Sequence, residues 1–232
     1  MKKIILSFCV ISIIGLSGCI KHVDNIQTFE LPAIVGMTVT FQPTLITSLG
    51  TFLAPELQDK LYTELWDGSL IWAYFSINFD QPTASGDFVA YGINWGRIYS
   101  SAPMATEGGE SIIGDFDEAI EALGVYDWVE NYLVFLIGHT APTDQKFIYE
   151  ATYDDQTDEI PVIKIRAKKD GEGKETERDF VCPYGLNLYN FAYRYKNSEN
   201  ILEFKVAYKT VTDEEGNDVY RTLENSVKLL VN

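Results

Sequence analysis

The chain has 232 residues, 46% of them hydrophobic and 13% aromatic, and carries 34 acidic against 18 basic residues for a net charge of −16. That apolar content builds a packed core and excludes a disordered stalk. The acidity repels polyphosphate and anionic headgroups, which argues against nucleic acid as a partner.

Lys2 and Lys3 precede an apolar run, Ile4 to Gly15, interrupted only by Ser7 and Ser12. The run is shorter than the roughly 20 residues of a membrane-spanning helix and has the order of a secretory leader. Leu16-Ser17-Gly18-Cys19 follows and matches the bacterial lipobox, in which cleavage precedes the cysteine and its sulfur takes a diacylglycerol. Residues 1–18 are thus expected to be a lipoprotein signal peptide, with Cys19 the lipid attachment site. Each buried methylene contributes about 0.8 kcal/mol, so several acyl chains would hold permanently. The membrane, through lipidated Cys19, is the first expected partner. Ile20, rather than Asp, follows the cysteine, and residues 20–25 hold a single acid. The expected location is the outer membrane, on its periplasmic face or at the cell surface. Cys9 would leave with the leader and Cys19 is taken by lipid, so Cys182 has no partner for an internal disulfide.

Residues 19–30 are expected to be a tether. Leu31 to Phe41, around Gly36, is a first strand region, and Gly50 to Lys60 carries turn chemistry. Leu70 to Phe79 places Ile71, Ala73, Phe75, Ile77 and Phe79 on one face at period two, with Trp72, Tyr74, Ser76 and Asn78 on the other. Phe88 to Tyr99 is a second strand with Val89, Tyr91, Ile93 and Trp95 on one side; Gly92 and Gly96 suggest a bulge or a close backbone approach. Ser100 to Gly109 reads as a domain boundary or a long loop; taken as a boundary it gives an N-terminal β domain over 31–108 and a C-terminal one over 109–232.

Asp115 to Leu123 reads as a short helix, with Glu118 completing a box-like start and Phe116, Ala119, Ile120 and Leu123 on one face, stopped by Gly124. Tyr132–His139 and Lys146–Tyr153 look like a hairpin across 140–145, and Ile160–Lys168 pairs in this reading with Arg178–Cys182 across Asp170-Gly171. Leu186 to Tyr195 fits helix or strand. Ile201 to Val211 alternates, with Leu202, Phe204, Val206 and Tyr208 inward and Glu203, Lys205 and Lys209 outward. A turn at Thr212–Asn217 then leads to Val219–Val231. The pattern is mostly β with one or two short helices.

No catalytic constellation, cofactor motif or metal set stands out. The two histidines, His22 and His139, are too few for a His-rich metal centre, and the acids at Asp213-Glu214-Glu215 read as a solvated hairpin tip. Aromatics are the stronger signal: Trp66, Trp72, Tyr74, Tyr91, Trp95 and Tyr99 crowd the first half. Most are expected in the core, but flat rings also form platforms for sugars or proteins. Trp72, Tyr74 and Trp95 are the candidate ligand-binding residues.

The lipobox, the strand pair Leu70–Phe79 and Phe88–Tyr99, and Gly185-Leu186-Asn187-Leu188 ahead of Tyr208-Lys209-Thr210 together resemble the NigD-like lipoproteins of Bacteroidetes. The resemblance implies a small N-terminal β-barrel, OB-like, followed by a C-terminal β-sandwich, and no catalytic residues to carry over. The expected function is a membrane-anchored, non-catalytic binding module for a protein, glycan or cell-wall partner. The alternatives are a carboxylate-based polysaccharide hydrolase, which needs two facing carboxylates roughly 5–10 Å apart, and a structural or assembly subunit of an envelope system.

Overall fold

A computed structural model describes residues 25–112, 114, 116–156 and 160–231. The leader, the lipobox and Cys19 lie outside the described residues, as does Asp115. The described residues are mostly β in three sheets, as their alternating apolar pattern dictates.

The first sheet holds β1 (Ile26–Met37), β2 (Pro43–Thr47), β3 (Gly50–Leu53), β4 (Leu70–Asn78) and β5 (Ala90–Arg97) in the order β3-β2-β1-β4-β5. β1 starts at Ile26, paired with Asn78, so the last residues of the expected tether belong to the sheet. A single parallel bridge, Leu53 to Val89, brings the two edges together. The circular order is that of a partly open, OB-type barrel. One bridge does not close it, so the expected small barrel is a curled sheet. Ile71, Ala73, Phe75 and Ile77 are fully buried inside it with Leu45, Leu57 and Leu65, as the alternation of β4 predicts.

Gly92, at φ +62°, makes a bulge in β5. The Glu56 carboxylate accepts the freed N–H groups of Gly92 and Ile93, both at 3.0 Å. The extra residue changes the face: Trp95 lies opposite Ala73 inside, while Tyr91, expected beside it, lies opposite Ser76 outside.

β6 (Tyr99–Ser101), β12 (Glu177–Asn187), β9 (Tyr132–Pro142) and β8 (Ala122–Val129) form a four-stranded sheet in that order. β14 (Asp218–Thr222), β13 (Ile201–Thr212), β11 (Val162–Asp170), β10 (Lys146–Tyr153) and β7 (Met104–Ala105) form the third, with β15 (Val227–Leu230) also on β13. The two face each other over Leu133, Phe135, Ile137, Tyr184 and Leu186 from one side and Ala151, Ile163, Ile165, Leu202, Phe204 and Val206 from the other. This is the expected C-terminal sandwich. It already includes β6 and β7, before the expected boundary at 109.

Three local expectations are corrected. β9 and β10 are not a hairpin: β9 pairs with β8 and β12, β10 with β11 and β7. β12 likewise pairs with β9 rather than β11. Both turns carry the chain across the sandwich from one sheet to the other. Nor is 116–123 helical: the Glu118 and Ile120 N–H groups bond to Ala167 and Lys209 carbonyls, and β8 has begun by Ala122. Leu186–Tyr195 divides between the end of β12 and a helix, α1 (Tyr189–Tyr195), which buries Phe191 and Ala192.

The curled sheet packs on the outer face of the four-stranded sheet through Ile34, Leu70, Ile98, Val129 and Val134. A Cβ on Gly185 would collide with Leu70 Cδ2, so glycine there admits the leucine. Among the described residues no helix is long and apolar enough to cross a membrane.

Candidate binding cleft at the seam

The three aromatics singled out by the sequence do not share one surface. Trp72 is half-buried in the seam, where its Nε1–H donates to Glu30 Oε1 at 3.0 Å and its ring lies 5.0 Å from that of Tyr126. Tyr126 is the extra residue of a bulge in β8, which swings its ring out of the ladder toward Trp72. Tyr74 stands in solvent on the same outer face of β4, 48% exposed. Trp95 packs half-buried against the core on the opposite face. Trp72 and Trp95 thus hold the scaffold, and Tyr74 alone is a free ring.

Concave surfaces lie elsewhere, one of them at the end of the seam. A cleft of about 470 Å³ is lined by Ile34 and Ile46 of the curled sheet, by Gly68 in the turn before β4, by Ala102, and by Glu130, Asn131, Tyr132, Asn187, Tyr189 and Asn190 of the sandwich. A second hollow of about 340 Å³ shares Glu130, Asn131 and Tyr189 and continues to Trp128 and Leu230. The first volume falls within the roughly 300–1,000 Å³ of small-ligand sites.

Each polar group is placed by a rigid element. Glu130 and Asn131 are the two turn residues between β8 and β9, whose ladder closes at Val129 and Tyr132. Tyr132 and Asn187 are directly opposite across β9 and β12. Asn187 Oδ1 accepts the Tyr189 N–H at 3.0 Å, and the Leu188 N–H donates to the Asn131 carbonyl at 2.8 Å, which ties helix α1 to the turn. The helix buries Phe191 against Phe204 and leaves Tyr189 and Tyr193, one turn apart, 64% and 86% exposed.

Glu130 has φ +52°. The first position of a two-residue hairpin turn with positive φ belongs by default to glycine. A side chain there costs about 1–2 kcal/mol. The fold keeps a carboxylate at the mouth of both hollows at that cost, and strain of this kind gathers at functional sites.

A second polar cluster is structural. On the outer side of the third sheet Arg166 is fully buried; its Nη1–H donates to Thr152 Oγ1 at 2.7 Å and its Nη2–H to the Gly109 carbonyl at 2.8 Å. Glu150 and Asp218 lie 3.7 and 3.6 Å from it. Lys209, expected in solvent, is buried, 2.7 Å from Asp218, and donates to the Phe116 carbonyl. Burial raises the Asp218 carboxyl, but the Lys209 ammonium, Tyr220 and Arg166 outweigh it and hold the group below its usual range. These bonds fasten residues 106–112 and 116–121 across the sheet as a strap.

His139 and Cys182 lie on neighbouring strands, with His139 opposite Phe180. The His139 ring stacks on Phe147 at 3.8 Å; its Nδ1–H donates to the Ala119 carbonyl, and Nε2 accepts the Tyr149 hydroxyl at 3.0 Å. Burial lowers the imidazole pKa and raises that of the Cys182 thiol. A raised thiol is the opposite of an activated nucleophile. Among the described residues no group of three or more His, Cys, Asp or Glu side chains could hold a metal ion.

No protein-family model matches the chain, and no curated protein matches it. Solved structures share its fold. An uncharacterized protein from Parabacteroides merdae superposes with TM-score 0.69 at 16% identity, covering 88% of this chain and 99% of that one. A toxin-related protein from Parabacteroides distasonis gives TM-score 0.57 at 13% identity, over 88% and 93%. A NigD-like immunity protein from Bacteroides caccae gives 0.50 at 11%, over 85% and 92%. The resemblance to NigD-like proteins drawn from the sequence is matched at the level of the fold.

Proposed function

We propose that the protein is an outer-membrane lipoprotein of the cell envelope, held to the bilayer through Cys19, and that it works as a non-catalytic binding module for a protein, glycan or cell-wall partner. Attachment rests on the lipobox Leu16-Ser17-Gly18-Cys19 behind its apolar leader. The binding role rests on one observation above the rest: a packed seam between two units ends in a cleft lined by the exposed Tyr189, the half-buried Tyr132 and three side-chain amides. A hydrolytic alternative needs two facing carboxylates, whereas Glu130 is the one carboxylate lining this cleft.

Expression of the full chain with its leader, in a bacterial host fed an alkyne-labelled fatty acid, tests the anchor. Label in the membrane fraction that disappears in Cys19→Ser supports it; an unlabelled, soluble product overturns it. Calorimetric titration against panels of glycans and envelope proteins tests the module, which fails if no member binds.

A further inference from the structure

We propose that the seam cleft is a carbohydrate site that takes a neutral oligosaccharide. The inference rests on the binding-module reading and names its ligand class.

The donor set is that of a sugar site. Hydroxyl groups on neighbouring ring carbons both donate and accept, so they are met by groups that do both. The side-chain amides of Asn131, Asn187 and Asn190 and the hydroxyls of Tyr132 and Tyr189 are such groups. The Glu130 carboxylate adds an acceptor for a pair of hydroxyls. Tyr189 offers an open ring face against which the apolar C–H face of a pyranose can lie, and Tyr193 extends that surface one helical turn further. The hollow beyond the cleft shares the same three residues, so a chain of several rings can run through both.

The chemistry also disfavours other occupants. A phosphate- or uronate-bearing ligand would meet Glu130 on a chain of net charge −16. A hydrocarbon would desolvate the amides without replacing their bonds. A protein partner would be expected to bury a central apolar cluster, whereas the aliphatic residues here are Ala102 and two walls shared with the packed seam, Ile34 and Ile46. The strain at Glu130 fits a residue kept for its carboxylate, since glycine would satisfy the turn better.

The experiment titrates the full chain with cellohexaose, xylohexaose, mannohexaose and maltohexaose, with hexagalacturonate as the anionic counterpart, alongside the envelope-protein panel. Tyr189→Ala, Asn131→Ala and Glu130→Gly are compared with the unsubstituted chain and with Tyr74→Ala, an exposed tyrosine away from the cleft. At least one neutral hexasaccharide is expected to bind, hexagalacturonate to bind at least tenfold more weakly, and Tyr189→Ala and Asn131→Ala each to weaken binding tenfold or more. Tyr74→Ala should leave affinity unchanged. Glu130→Gly should lose affinity while its melting temperature rises, a combination that loss of folding cannot produce. Binding that survives the three cleft substitutions, or tighter binding of hexagalacturonate, overturns the carbohydrate site and leaves the module standing. Binding of an envelope protein alone does the same. No binding by any member of either panel overturns both.

Discussion

Arg166 concentrates the residue-scale energetics. Its guanidinium is buried against Thr152, Gly109 and Glu150 with no water-facing edge, so removing it leaves the buried Glu150 carboxylate without its cation, held by the Ile112 N–H at 3.1 Å. Breaking a buried pair in this way costs about 3–5 kcal/mol. Arg166→Met should therefore lower the urea midpoint by that equivalent; a loss under 1 kcal/mol would show that the strap is held by other bonds. His139 sets a pH dependence. Burial depresses its folded pKa, opposed by the Ala119 carbonyl, Glu118 and Glu121 and assisted by Lys169. In the unfolded chain the imidazole takes a proton near pH 6.5. A depressed folded pKa means its contribution is complete above about pH 6.5 and declines as pH falls from there toward the folded value. Thermal melts between pH 7.5 and 5.5 should fall less steeply for His139→Gln than for the unsubstituted chain. Equal slopes would show that the imidazole titrates alike in both states.

At the scale of elements, bulges aim side chains that the ladder alone could not. The one at Gly92 turns Tyr91 outward and hands two N–H groups to Glu56. Gly92→Ala forces a side chain into φ +62° and should cost about 1–2 kcal/mol, read by chemical denaturation. The period-two faces of β4 and β13 were legible in the sequence, because one face of each meets a core and alternation records that. Which sheet a strand joins was not legible. The turns after β9 and β11 have hairpin lengths, and nothing in their residues records that the chain crosses the sandwich instead. The 116–123 segment misleads for a related reason. Ile120 and Leu123 enter the sandwich core while Phe116 lies beneath Lys168 at the strap, so apolar residues at helical spacing serve an extended chain. Lys209 looked solvent-facing because its strand partners Glu203 and Lys205 do; the strap that covers it is remote in sequence. Of the cleft, Tyr189 was within reach once the helical option for 186–195 was taken, with Tyr193 one turn beyond it, whereas the strain at Glu130 leaves no mark in composition or spacing.

For the whole molecule, the four-stranded sheet is the middle of three layers. Leu133 and Phe135 face the sandwich core while Val134 faces the curled sheet, so the apolar run of β9 is buried on both sides. Cooperative unfolding of the two units depends on that second face. Gly185→Val drives a side chain into Leu70 and should cost about 1–3 kcal/mol while splitting one calorimetric transition into two. A single transition with an unchanged midpoint would show that the seam is soft. The position of β1 has a mechanical corollary. It is the central strand of its sheet, its first residue lies at the upstream end of the described chain, and Ile34 near its other end lines the cleft. Were Cys19 anchored and the cleft occupied as proposed, tension between the two would run lengthwise through this strand. The β1–β4 hydrogen bonds from Ile26 to Ile34 would then bear the load together, in shear, instead of unzipping one by one.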